Sequence, residues 1–172
     1  MSLHDEIMRA SRFARDPRVG GVLANFGLAK RLPFGIGWVE FHGVTYSPVQ
    51  DGGDACLIVP VFEGEDIVDL AACSFRSRRV ATRRDVGMAL GLCCIIRAAE
   101  RQSRLALFDD PWRWVSAGRR GAVILDWNCA GFLLDGVHEI VCCSPSLARR
   151  VHATTRRMTD PPRLLIPKQR IQ

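Results

Sequence analysis

The sequence predicts a mixed α/β fold with N-terminal helices, antiparallel strands in the middle and parallel-type β-α-β units in the C-terminal third. Three observations carry that prediction. Helix start signals and apolar residues at helical spacing open the chain. Short β-rich runs separated by turn residues fill the region from 33 to 75. From 76 to 160, apolar runs alternate with capped helices, the pattern of parallel strands covered on both faces. The 172 residues suit a single domain, 1–172, with a helical segment 1–32, a strand-rich segment 33–75, an α/β segment 76–160 and a basic tail 161–172.

Ser2 with Asp5 three residues on resembles a capping box, and Leu3, Ile7 and Met8, then Ala10 and Ala14, continue at helical spacing. Asp16-Pro17 reads as the N-cap and first residue of a second helix, with Val19, Val22, Leu23 and Phe26 on its apolar face. Trp38–Phe41, Val44–Tyr46, Ala55–Phe62 and Ile67–Phe75 are strand-like and predict an antiparallel meander, although Ile67–Ser74 fits a helix equally well. Val86–Ala99 has helical spacing. Then follow a strand at Leu105–Phe108, a short helix capped by Asp110-Pro111, a strand at Ala122–Leu125 and a helical turn at Cys129–Leu134. A strand at Glu139–Cys143 precedes a helix that Ser144-Pro145 caps and that runs to about Met158.

Composition narrows the compartment and the partner. No basic patch followed by an apolar stretch opens the chain, and no apolar run approaches the roughly 20 residues that span a bilayer, so a cytoplasmic protein without a membrane partner is expected. The seven cysteines are odd in number, lie mostly in apolar runs and show no zinc-ligand spacing, which predicts buried, reduced thiols. Residues 1–75 hold six basic and ten acidic side chains, residues 76–172 eighteen and eight, and only Lys30 and Lys168 are lysines. Such an arginine-rich half predicts a face for a polyanion.

Two arginine clusters stand out. On the helix after Pro145, Arg149, Arg150, Arg156 and Arg157 gather on one side, opposite the stripe of Leu147, Val151, Thr154 and Met158. Arg76, Arg78 and Arg79, with Arg83 and Arg84, form a second group. The expectation is a nucleic-acid-associated, non-catalytic accessory protein that needs no cofactor, its oligomeric state open. A protein-interaction module with an acidic partner is an alternative. Trp112-Arg113-Trp114 interleaves aromatic and basic residues, but Trp112 and Val115 share the core side of a helix.

A further alternative is enzymatic. Leu57–Phe62 is an apolar strand ending in Glu63-Gly64-Glu65, and Ala122–Leu125 is an apolar strand followed by Asp126-Trp127-Asn128-Cys129-Ala130-Gly131. These two segments resemble the toprim domain of primases and topoisomerases, whose first strand ends in Glu-Gly and a later one in Asp-x-Asp. The resemblance covers about twenty residues. It implies Glu63 and Asp126 as catalytic residues and Asp126 and Asn128 as magnesium ligands, Asn128 standing where the family has its second aspartate. The activity implied is magnesium-dependent phosphodiester chemistry, with carboxylates at neighbouring strand ends holding the metal against a phosphate. The chain as a whole resembles uncharacterised phage and mobile-element proteins, which adds no activity.

Overall fold

Ser2 starts the first helix as its spacing predicts. In the computed structural model, which describes residues 1–15 and 34–167, the Ser2 hydroxyl accepts from the Asp5 amide at 3.1 Å. The Asp5 carboxylate accepts from the Ser2 amide at 3.3 Å, and α1 runs Leu3–Ala14. The helix predicted from Asp16-Pro17 lies outside the described residues.

Five strands follow: β1 (Gly35–His42), β2 (Thr45–Val49), β3 (Asp54–Glu63), β4 (Asp66–Ser74) and β5 (Val80–Thr82). They close a barrel in the order β1-β2-β5-β4-β3. The open segment Ile67–Ser74 is a strand, paired antiparallel with β3. The pairing is not the simple meander predicted. β1 pairs with both β2 and β3, and a parallel contact of Thr45 with Thr82 joins β2 to β5. Closure removes the free edges that a five-stranded open sheet would expose.

The barrel interior draws on every strand: Val39, Tyr46, Cys56, Ile58, Leu70, Ala72 and Ala81 pack with Leu3, Ile7 and Ala10 of α1. The alternate residues Leu57, Val59 and Val61 lie in a second cluster with Trp112, Trp114 and Val115. Because strand side chains alternate, burial on both faces is what makes β3 a continuous apolar run. Each such side chain contributes about 1.5–3 kcal/mol through burial. A polar strut links helix to barrel: the buried Glu6 accepts from the Tyr46 hydroxyl at 2.7 Å and from Arg83 Nε at 3.1 Å.

The second half comprises β6 (Ala89–Leu90), α2 (Leu92–Glu100), β7 (Arg104–Leu107), α3 (Pro111–Ser116), β8 (Val123–Ile124), α4 (Ala130–Leu133), β9 (Glu139–Cys142), α5 (Pro145–Thr155) and β10 (Arg163–Leu165). β7 and β9 are parallel, as predicted, and β10 joins them in parallel on the other side of β9. A parallel bridge between Leu107 and Ala122 sets the start of β8 beside β7, and β6 pairs antiparallel with β8. The strands therefore follow the order β6-β8-β7-β9-β10. Leu105, Leu107, Ile140 and Cys142 of the sheet meet Ile95, Leu147 and Val151 of the helices.

Three expectations need correction here. The helix predicted at Val86–Ala99 begins only at Leu92. Its first part is diverted because the Asp69 carboxylate binds the amides of Val86 and Gly87, and because Gly91 takes a left-handed φ of 71°. The segment after Pro161-Pro162 is not a plain basic tail, since Arg163–Leu165 adds a strand to β9 and the Arg163 amide donates to the His138 carbonyl at 2.7 Å. Finally, Cys93 is exposed on α2, and Cys94, Cys129 and Cys143 are half-buried. Only Cys56, Cys73 and Cys142 are buried as predicted, and all seven are free thiols.

The Trp-Arg-Trp helix α3 lies in the seam between barrel and sheet, so Trp112, Trp114 and Val115 are all buried. Trp114 Nε1 donates to the Gly121 carbonyl at 2.8 Å. At Gly121, φ is 130° and a Cβ would stand 2.3 Å from the Ala106 carbonyl oxygen. Gly121→Ala is therefore expected to cost about 2–3 kcal/mol, from strain and from pushing β7 off the entry to β8. A urea titration of the variant measures it. Among the described residues no helix is long and apolar enough to cross a membrane.

Candidate functional site

The carboxyl ends of β7, β8 and β9 converge on one edge of the parallel sheet. The chain leaves β7 through α3 toward β8, and leaves β9 through α5 in the other direction toward β10. That reversal opens a crevice at the strand ends, where open α/β sheets bind ligands. Both exits use the same device: Asp110-Pro111 caps α3 and Ser144-Pro145 caps α5, each capping side chain accepting from an amide three residues on. The residues just before the caps, Asp109 and Cys143, therefore face each other.

Asp109 gathers three donors. Its Oδ2 accepts from the Ser144 hydroxyl at 2.6 Å, and its Oδ1 accepts from Arg113 Nη1 at 3.1 Å and from the Cys143 thiol. Burial opposes its charge, but the Cys143 and Ser144 hydrogen bonds and the Arg113 guanidinium outweigh that and hold the carboxyl below its ordinary range. Burial, and then the hydrogen bond to Asp109, push the Cys143 thiol up. A thiol so placed is a donor to the carboxylate, not an activated nucleophile.

Asp126, one strand away, is arranged in a similar manner. Its Oδ1 accepts from the Asn128 amide at 2.9 Å and its Oδ2 from the Cys129 thiol at 3.1 Å. These bonds, the thiol's first, lower the carboxyl below its ordinary range. Asp126-x-Asn128 is thus the turn by which the chain leaves β8 for α4.

Between this edge and the barrel lies a cleft of about 610 Å³. Asp109, Asp126, Trp127, Asn128 and Arg150 line one wall; Thr82, Asp85 and Gly87 contribute to the other. The Arg150 guanidinium lies over the Trp127 ring, 3.9 Å from its centroid, and burial lowers its pKa. The barrel wall is fixed by Asp69, which is completely buried. Its carboxylate accepts from the amides of Leu70, Arg83 and Arg84 through Oδ1 and from Val86 and Gly87 through Oδ2.

Glu63 and Asp126 are not brought together. Glu63 is exposed at the end of β3, opposite Asp66 across the tight turn into β4, so its strand belongs to the barrel. Asp126 follows β8, which pairs with β6. The immediate antiparallel return of β3 into β4 takes the place of the crossover that would set the two strands side by side. Asn128 is exposed and its backbone serves the turn. Among the described residues no group of three or more histidine, cysteine or acidic side chains is placed to hold a metal. The magnesium set of Asp126, Asn128 and a nearby Glu63 does not fit this geometry.

The arginines divide. Arg78 lies over the Trp112 ring, 4.8 Å from its centroid. Arg79 lies over Phe41 and donates to the Gly43 carbonyl at 2.8 Å. Both are exposed all the same, as is Arg76 beside them. Arg149, Arg150, Arg156 and Arg157 are all exposed, and the ion pairs among the described residues use none of them. At 100° per residue they span an arc of about 120° on α5 and its C-terminal turn. The helix ends at Thr155, sooner than predicted, and buries Leu147, Ala148, Val151 and Thr155.

The pairing of Asp109 with Cys143 and Ser144, and the stack of Arg150 on Trp127, do not emerge from sequence reasoning. The twin cap-proline signals were the usable clue, because the residues preceding them mark strand ends. No family model, no curated protein and no solved structure matches the chain.

Proposed function

We propose that the protein is a nucleic-acid-associated accessory protein that binds the phosphate backbone through the arginine face of α5. The observation that carries this reading is that Arg149, Arg150, Arg156 and Arg157 are exposed together on one helix face, with no carboxylate among the described residues paired to any of them. Four other arginines do have carboxylate partners: Arg83 with Glu6, Arg104 and Arg163 with Glu139, and Arg113 with Asp109. Guanidiniums left side by side repel one another, and an anion between them relieves that repulsion while accepting their forked hydrogen bonds. Arg150 also joins the face to the cleft, since the same guanidinium covers Trp127.

Binding of this kind is set by counterion release. The log of the binding constant should fall with log salt by roughly 0.7–0.9 per phosphate contact. Replacing all four arginines with alanine should reduce the slope by about 3 and weaken binding at least tenfold at low salt. Fluorescence anisotropy with labelled single- and double-stranded oligonucleotides measures both. Absence of binding to any of them at low salt overturns the reading, and tight salt-sensitive binding of an acidic protein instead would assign the face to a protein partner.

A further inference from the structure

The cleft beside the arginine face is acidic, and that contrast identifies what enters it. Asp85, Asp109 and Asp126 are among its lining residues, against the single basic residue Arg150. A phosphate brought among them would be repelled. A neutral group that donates hydrogen bonds would not, because each carboxylate oxygen has two lone pairs: Asp109 Oδ1 already accepts two donors, while Asp109 Oδ2 and both oxygens of Asp126 accept one side-chain or loop donor each. The remaining lining combines the polar Thr82 and Asn128 with an apolar part, the half-exposed Trp127 together with Val80, Val123 and Leu125. A volume of about 610 Å³ is of the size that takes a ligand the size of a nucleoside.

Resting on the phosphate-binding reading above, we infer that the cleft receives one unpaired nucleobase from a strand held along α5. The phosphates stay on Arg149, Arg156 and Arg157, outside the acidic lining. The base turns inward and stacks on Trp127, and Arg150 moves from the ring to the strand or to the outer face of the base. Aromatic stacking of this kind is tolerant of sequence. The carboxylates make it selective: they accept from the exocyclic amino groups of cytosine, adenine and guanine, whereas thymine and uracil present carbonyl oxygens there. Asp85 is held at the barrel wall by its amide, which donates to Thr82 Oγ1 at 3.1 Å.

The test uses the full chain and three single-stranded 12-mers at one salt concentration: oligo(dC), oligo(dT) and an abasic oligomer with the same number of phosphates. Oligo(dC) should bind about tenfold more tightly than the abasic oligomer or oligo(dT), and a single 2-aminopurine in the strand should be quenched on binding. Within Trp127→Ala the ratio of oligo(dC) to abasic affinity should fall to near one. Within Trp127→Phe, which keeps an aromatic face, most of it should survive, which separates loss of stacking from a damaged fold. Equal, salt-sensitive binding of all three oligomers by the wild-type chain would overturn base insertion and leave the phosphate reading standing. Failure of all three to bind would overturn both.

Discussion

Asp69→Ala is expected to lower the unfolding free energy by about 3–5 kcal/mol, because it removes the acceptor that five backbone donors share. The five amides that converge on this carboxylate come from Leu70, Arg83, Arg84, Val86 and Gly87, at 2.8–3.1 Å. Of these, Arg83 keeps a second acceptor in the Leu70 carbonyl, so the full loss falls on the others. Asp69→Asn should cost less, about 1–3 kcal/mol: one oxygen can still serve the Oδ1 side, but the amide group then confronts the Val86 and Gly87 donors. Urea titrations give the two magnitudes, and amide exchange shows where the damage lies. Val86 and Gly87 should exchange faster in both variants, Arg84 only in the alanine variant. An Asp69→Ala protein as stable as wild type would remove Asp69 as the keystone of this loop. Asp85 and Gly87 line the cleft, so the same variant should also weaken any ligand held there.

Alkaline pH is expected to unfold the protein early, through its buried thiols. Burial pushes Cys56 up to about 12 and Cys142 up to about 11, and it raises Cys73 as well. In the unfolded chain a thiol titrates near 8.5. The sign follows from which state keeps its protons: above pH 8.5 the unfolded chain loses protons that the folded chain retains, so stability falls as pH rises. Each thiol contributes about 1.4 kcal/mol per pH unit. The three together therefore remove about 3–4 kcal/mol between pH 9 and 10, a large share of the roughly 5–15 kcal/mol typical of a domain. Below pH 8.5 their stabilising contribution is fully present. Cys93, Cys129, Cys143 and Tyr46, all raised, add to the loss in the same direction. Denaturant titrations under reducing conditions at pH 8, 9 and 10 measure the slope, and Cys56→Ala should flatten it by about 1.4 kcal/mol per unit. A stability unchanged from pH 8 to 10 would contradict the burial of these residues.

The local elements were legible because their causes are local. A capping box at Ser2, cap-proline pairs at Asp110-Pro111 and Ser144-Pro145, and the alternation of apolar and capped segments each act within a few residues of chain. So did the arginine face of α5, which needs only helical spacing to form. Where a distant group competes for the backbone, the local reading fails. Val86–Ala99 has helical spacing, yet Asp69 captures the amides at its start from a strand seventeen residues earlier. Cys93 lies in an apolar run, yet α2 turns it outward while its neighbours Ile95 and Ala98 face the sheet.

By itself, then, the sequence determined the class of fold, the positions of most helices and strands, and the charge asymmetry that makes a polyanion the expected partner. These depend on side-chain chemistry and short-range spacing. Only the tertiary structure decided how β1 closes the barrel between β2 and β3, that Glu63 sits in a hairpin in a different sheet from Asp126, and that Asp109 lies against Cys143 and Ser144. Which strands become neighbours depends on how whole faces bury one another. The alternate faces of β3 are equally apolar, and it is their division between α1 and α3 that places the barrel beside the sheet and opens the cleft between them.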